Sequence, residues 1–436
     1  MIEKEQNKLV KNLDKLLIIS IFIVYSTNVK IMTTSNHSGI KSLIISALKC
    51  DSFSTLKRTR KHFILNALLC FLSIKGKINF LQLSRFSSFC EQFFRIHFEN
   101  RFNFQCFNLS LVSSLKIKES IVAFDPSYIP KSGKQTFGLG RYWSGCAKQA
   151  KWGLDICGFA LIDVLRNTAF HLNAIQTSSK DGMSLLDYYC SIIKENYLYF
   201  KECSSYMVAD AYFSKKKVVD TILSTGLHFI SRMRDDANLN YIYSGEPSNK
   251  RGAPKKYDGK INSQKLNMNH FTKCFSNSEI TIYSAKVYSI AFKRNINLAV
   301  AVFYKDGKEI CRKLYFSTDI NMNGKDIVRF YRSRFQLEFL FRDAKQHCGL
   351  TSSQARSENK LNFHFNAALT AVNLAKIDWI NSKHNDESSF SMADYKTMFY
   401  NQLLLNQFIR RFAINPNTKK NKRIIQELIQ WGKMAA

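Results

Sequence analysis

Two short apolar runs in this chain each end on an aspartate. Ile121-Val122-Ala123-Phe124 leads into Asp125, and Tyr206-Met207-Val208-Ala209 leads into Asp210. Runs of that length and texture read as buried strands, the first stopped by the Pro-containing turn from Pro126 to Pro130. Taking an unpaired carboxylate out of water costs several kcal/mol, so each aspartate wants a cation, a hydrogen-bond network or a wet strand end. An Asp that opens a turn is the ordinary reading of either one alone. On adjacent strand ends of one sheet, however, the two offer oxygens to a single divalent ion, and hard oxygen ligands suit Mg²⁺ or Mn²⁺.

The surrounding pattern says which fold holds these strands. Gly153 to Asp163 and Asn167 to Gln176 are two further strand candidates, and Ser184 to Phe200 is a helix; the strand ending on Asp210 and a helix from Lys215 to Ser224 follow. This β-β-β-α-β-α order resembles an RNase H-like core, an α/β fold with a mixed sheet. Its first part is expected over residues 116–226. A β-rich insertion over 227–320 has runs at 278–290, 296–304 and 309–317 and a basic Gly/Pro loop from Lys250 to Lys260. The core resumes over 321–382 with helices at about 325–347 and 358–380, and 383–436 is a basic helical C-terminal part. Residues 38–115 carry helical periodicity interleaved with Lys57, Arg58, Arg60, Lys61, Lys75 and Lys77. They are expected to form a helical DNA-binding module, the plainer alternative being a packing domain with a solvated basic face.

Residues 1–37 are an N-terminal extension of uncertain status. Lys4, Lys8, Lys11 and Lys15 precede the apolar run Leu16 to Tyr25, which has signal-peptide proportions but no small-residue cleavage pattern after it. The other reading takes residues 1–31 as upstream read-through, with the natural start at Met32. No stretch approaches the roughly 20 apolar residues of a spanning helix. The 11 Cys are scattered with no CxxC pair, which excludes a zinc ribbon and reads as reduced, buried thiols of a cytosolic protein.

One helical face discriminates further. Tyr331, Arg334, Glu338 and Lys345 stand at offsets 0, 3, 7 and 14, which at about 100° per residue confines them to a sector about 60° wide. A solvated face of ion pairs is the bland account. Phe330, Phe335, Phe339, Leu340 and Phe341 surround the stripe and suggest a helix buried on its other sides, which favours a site. Such a face suits one carboxylate that holds metal and two cations that hold phosphate. Asp343 falls at about 120° on the wheel, away from the stripe. The formal charge of +31, from 64 Lys+Arg against 33 Asp+Glu, points to a polyanionic partner along the whole chain. Lys131-Ser-Gly-Lys134 is not a Walker loop, since Tyr128 stands where that pattern needs a Gly. Lys131, Lys134, Lys255 and Lys256 remain candidates for DNA backbone contact, as do the six basic residues between Arg410 and Arg423.

Y-(2)-R-(3)-E-(6)-K, at Tyr331, Arg334, Glu338 and Lys345, resembles the YREK signature of bacterial insertion-sequence transposases of the DDE class. The segments Phe124-Asp125-Pro126-Ser127-Tyr128-Ile129-Pro130-Lys131-Ser132-Gly133-Lys134 and Val208-Ala209-Asp210-Ala211-Tyr212-Phe213 are similar to that family's as well. The intervals agree in kind, at 210 − 125 = 85 and 338 − 210 = 128 residues. The resemblance covers roughly residues 40–400. It implies a catalytic triad of Asp125, Asp210 and Glu338 holding two Mg²⁺ ions, with Mn²⁺ as substitute. Arg334 and Lys345 would grip phosphates of the transposon end, and Tyr331 would position that strand. It further implies a cytoplasmic, nucleoid-associated enzyme with no membrane partner, acting as a homodimer on double-stranded DNA, both terminal inverted repeats and target. A Trp that stacks a flipped base in the inserted β region has no counterpart here, because no Trp lies between Trp152 and Trp379. Two alternatives stay open: a DNA-binding protein of this descent that has lost its chemistry, and an RNase H-like nuclease without strand transfer.

Overall fold

The computed structural model describes residues 35–178, 182–246, 254–382 and 389–434. The apolar run Leu16 to Tyr25, the start at Met32 and residues Lys250 to Ala253 of the basic loop lie outside them. Five helices open the described chain: α1 (Ser35–Ala47), α2 (Arg58–Ser73), α3 (Phe80–Arg85), α4 (Glu91–Glu99) and α5 (Phe104–Ser113). Then come β1 (Ser120–Pro130), β2 (Gly140–Ser144), β3 (Gln149–Asp163), β4 (Thr168–Gln176), α6 (Leu185–Cys203), β5 (Tyr206–Ala209), α7 (Lys216–Ser224) and β6 (His228–Arg232).

β3 lies antiparallel to both β1 and β4, while β5 is parallel to β1 and to β6. The order β4-β3-β1-β5-β6 places the two Asp-terminated strands side by side, with Phe124 beside Ala209. This mixed sheet with helices is consistent with an RNase H-like core. The strand ending on Asp125 runs further than its composition predicts: β1 continues through Pro126 to Pro130, paired with β3 throughout. β5 accompanies β1 only from Val122 to Phe124, so beyond that point β1 has no ladder on its other side for proline to interrupt.

The β-rich region extends the same sheet. β7 (Leu239–Ile242), β8 (Tyr257–Lys260), β9 (Thr272–Ser276), β10 (Ile280–Ser289), β11 (Arg294–Lys305) and β12 (Lys308–Ser317) follow, and β12 pairs antiparallel with β6. The next helical stretch divides at Arg334 into α8 (Gly324–Ser333) and α9 (Phe335–His347). At the joint, Arg334 N–H donates to Tyr331 O at 3.2 Å and Leu337 N–H to Arg334 O at 3.0 Å, a tightened turn of three-residue reach. α10 (Glu358–Asn381), α11 (Met392–Arg411) and α12 (Lys419–Gln430) complete the chain.

α10 joins the sheet to the N-terminal helices. β4 is an edge strand whose free backbone groups need partners, and polar side chains of α10 supply them. Asn366 accepts from Ala174 N–H at 2.8 Å and donates to Ala174 O at 2.8 Å; Asn373 accepts from His171 N–H and donates to His171 O, both at 2.7 Å. On its other side α10 sets Phe363 against Phe63, Phe98 and Phe104, and one apolar core runs from Ile40 to Phe399. Arg60 belongs to that core rather than to a basic face. It is 8% exposed and donates to His97 O at 2.6 Å and Asn100 O at 2.7 Å. The cysteines also divide: Cys70, Cys157, Cys190 and Cys348 are buried, but Cys50, Cys90, Cys146 and Cys311 are exposed.

Candidate active site

The parallel neighbours β1 and β5 deliver Asp125 and Asp210 to one end of the sheet, on strands about 4.8 Å apart. Asp125 retains 21% side-chain exposure, deep yet reachable. Asp210 caps the short turn after β5, its Oδ1 accepting from Ala211 N–H at 2.7 Å. The α8–α9 joint lies over them. Tyr331 OH donates to Asp210 Oδ1 at 3.3 Å; Arg334 Nη1 stands 3.6 Å from Asp125 Oδ2, and its Nη2 donates to Glu338 Oε1 at 2.7 Å. Lys345 Nζ donates to Tyr128 O at 3.0 Å, three residues beyond Asp125 on the same strand. The six side chains of Asp125, Asp210, Tyr331, Arg334, Glu338 and Lys345 therefore meet at one end of the sheet.

α9 can approach so closely because β3 carries a glycine opposite Asp125. Gly158 pairs with Asp125 across the ladder, and a Cβ there would lie 2.4 Å from the Phe341 ring. Tyr331 and Arg334 are buried, at 7% and 5% exposure, whereas Glu338 keeps 44%. Phe335 and Phe339 are exposed, unlike the sheltering role their position in the sequence suggests.

The electrostatics are those of crowded acids. Burial pushes the Asp125 carboxyl up to about 7; Arg334 pulls it down, while Asp210 and Glu338 push it up again. Burial opposes the charge on Arg334, but Asp125 and Glu338 raise its guanidinium above its ordinary value. Tyr331 is likewise raised, first by burial and then by Asp210. One guanidinium thus serves three carboxylates and leaves an excess of negative charge that hard divalent cations match, so the donor set fits Mg²⁺ or Mn²⁺. Among the described residues no three His, Cys, Asp or Glu side chains are gathered tightly enough to bind one ion, and Glu338 is turned toward Arg334.

Sequence reasoning did not single out Asp155. It is 4% exposed on β3, opposite Tyr128, and accepts from Thr177 Oγ1 at 2.6 Å and Tyr189 OH at 3.1 Å. Burial raises its carboxyl, and its field reaches Asp125 and Lys345. The available signal was the lone acid of an otherwise apolar strand, Gly153 to Ile162.

The remaining predicted residues lie around this centre or away from it. Lys131 Nζ donates to Ser353 O at 2.6 Å, Lys134 is exposed beyond it, Lys255 pairs with Asp258 at 2.9 Å, and Lys256 is exposed just before β8. Asp343 contacts Arg342 rather than the carboxylate group, and His364 is a packing residue bonded to Gly349 O.

Two comparisons bear on this arrangement. The family model described as the transposase DDE domain matches residues 192–374, a span that includes Asp210, Tyr331, Arg334, Glu338 and Lys345 and begins after Asp125. No curated protein matches the chain.

Proposed function

We propose, on the premise that residues 192–374 form a transposase DDE domain, that the chain cuts DNA at transposon ends and joins those ends to target DNA. The observation that carries this reading is that one helical joint reaches all three acids, Arg334 facing Asp125 and Glu338 and Tyr331 bonding Asp210, at the end of a mixed sheet that the family match partly spans. Divalent ions bound by the three carboxylates would supply the Lewis acidity that activates a water or 3′-hydroxyl and relieves charge on the leaving 3′-oxygen.

The protein's own groups do the placing. Arg334 and Lys345 flank the acids and match phosphate in charge, Arg334 with a forked donor set. Its Nε is buried without a partner, so this guanidinium has donor capacity to spare. Tyr331, held at Asp210, fixes the near wall of the cleft. Lys131, Lys134, Lys255 and Lys256 add sequence-independent backbone attraction, and the +31 charge makes the affinity salt-sensitive. Two ends must be cut in concert, which calls for two copies in the working complex.

The test uses purified protein, Mg²⁺ and a labelled inverted-repeat duplex taken from the DNA flanking the coding region. Nicking at the repeat end is expected, falling roughly a thousandfold or more in Asp125→Asn, Asp210→Asn and Glu338→Gln. Binding without nicking, unchanged by these substitutions, would support the inactive DNA-binding alternative. Nicking with no joined product on a plasmid target would support a nuclease instead.

A further inference from the structure

The stretch that holds the end of β1, β2 and the start of β3 carries charge of one sign. From Pro126 to Leu154 the chain has Lys131, Lys134, Arg141, Lys148 and Lys151 and no acid. The same stretch holds two of the four tryptophans, and both are exposed, Trp143 at 67% and Trp152 at 52%. Arg141 pairs with Trp152 and Trp143 with Ala150, so strand alternation puts both indoles and the guanidinium on one face of the β2–β3 ribbon. The small Ala150 leaves the neighbouring Trp143 ring uncovered.

This face is mechanically joined to the cleft. Tyr128 OH donates to Trp152 O at 2.7 Å, and the Tyr128 carbonyl accepts from Lys345 at 3.0 Å. β1 then leads directly to Asp125. Large aromatic faces left open beside cations suit a polyanion that also carries flat apolar rings. In a duplex those rings are hidden by stacking, whereas an unpaired strand presents them.

We infer that Trp143 and Trp152 form a stacking platform for unpaired bases of the DNA strand that leaves the cleft, with Arg141, on the same face, on its phosphates. The inference rests on DNA being the substrate.

Anisotropy of a fluorescein-labelled 20-nucleotide oligo-dT, against a duplex of equal length at the same salt, tests it on the full chain. Trp143→Ala and Trp152→Ala are each expected to weaken single-strand binding about tenfold with little change in duplex binding. Trp→Phe at either site should keep most of the affinity, which separates stacking from damage to the ribbon. Unchanged single-strand affinity in both alanine variants, or equal loss on single strand and duplex, would overturn the platform. Wild type that nicks the duplex but is indifferent to these substitutions removes the platform alone. Wild type that needs both tryptophans to bind oligo-dT yet never nicks upholds the platform and removes the enzymatic reading.

Discussion

One nitrogen of the Arg334 guanidinium lies 3.6 Å from Asp125, while a second donates to Glu338 at 2.7 Å. A single internal cation therefore ties the strand-borne acid to the helix-borne one, along the same edge where a metal would draw them together.

Removing that cation should expose the charge it offsets. Arg334→Gln is expected to lose about 1–3 kcal/mol of stability in chelator, less than a fully buried pair would cost because Glu338 is half-exposed. Millimolar Mg²⁺ or Mn²⁺ should restore more Tm in this variant than in wild type, since no guanidinium then competes for the carboxylates. Equal metal-induced shifts in the two proteins would show that Arg334 and metal do not share ligands.

Helix α9 depends on a missing side chain. An alanine Cβ at Gly158 would stand 2.4 Å from the buried Phe341 ring, which is flat and closely packed and has little room to yield. Gly158→Ala should destabilise the protein by about 1–3 kcal/mol and lower cleavage through displaced Glu338. Adding Phe341→Leu should recover part of the loss, a coupling that a double-mutant cycle reads directly. A wild-type Tm for Gly158→Ala would mean that the helix moves freely over β3.

Much of the site was legible because its signals are local. Apolar runs closing on Asp125 and Asp210 report strand ends, and an i, i+3, i+7 stripe reports one face of a helical stretch, whichever tertiary contacts follow. What failed depends on distant partners. Pro126 reads as a strand stop unless β5 is known to end at Ala209. Arg60 reads as a surface cation unless Asn100 O and the Phe363 ring, brought by other helices, are known to receive it. The amides of Asn366 and Asn373, which close the β4 edge, look like ordinary helix-surface residues until the edge strand is in place.

Asp155 exemplifies a residue whose charge serves the site at the fold's expense. Its carboxylate is raised by burial despite hydrogen bonds from Thr177 and Tyr189. Burial lowers Lys345, and Asp155 is among the groups that sustain its charge. Asp155→Asn keeps the volume and removes the buried charge, so Tm at neutral pH should hold or rise while cleavage falls about tenfold, as when a supporting partner is lost. Wild-type cleavage in a stable Asp155→Asn protein would confine Asp155 to packing.

Two buried lysines should write themselves into the pH dependence of stability. Burial lowers Lys376 and Lys396 to about 8 from the usual 10.5, with Nζ of one on Ala169 O and of the other on Phe71 O. Between those two values the unfolded chain holds a proton on each lysine that the folded chain has released, so unfolding takes up protons and stability rises with pH across that window. Below the folded value both states are protonated, and each lysine costs the fold on the order of 3 kcal/mol, a cost relieved as pH climbs. Chemical denaturation followed from pH 7 to pH 10 should show a rising contribution in wild type that the Lys376→Met, Lys396→Met double variant lacks. The same slope in both proteins would place these ammonium groups in contact with water rather than in the core.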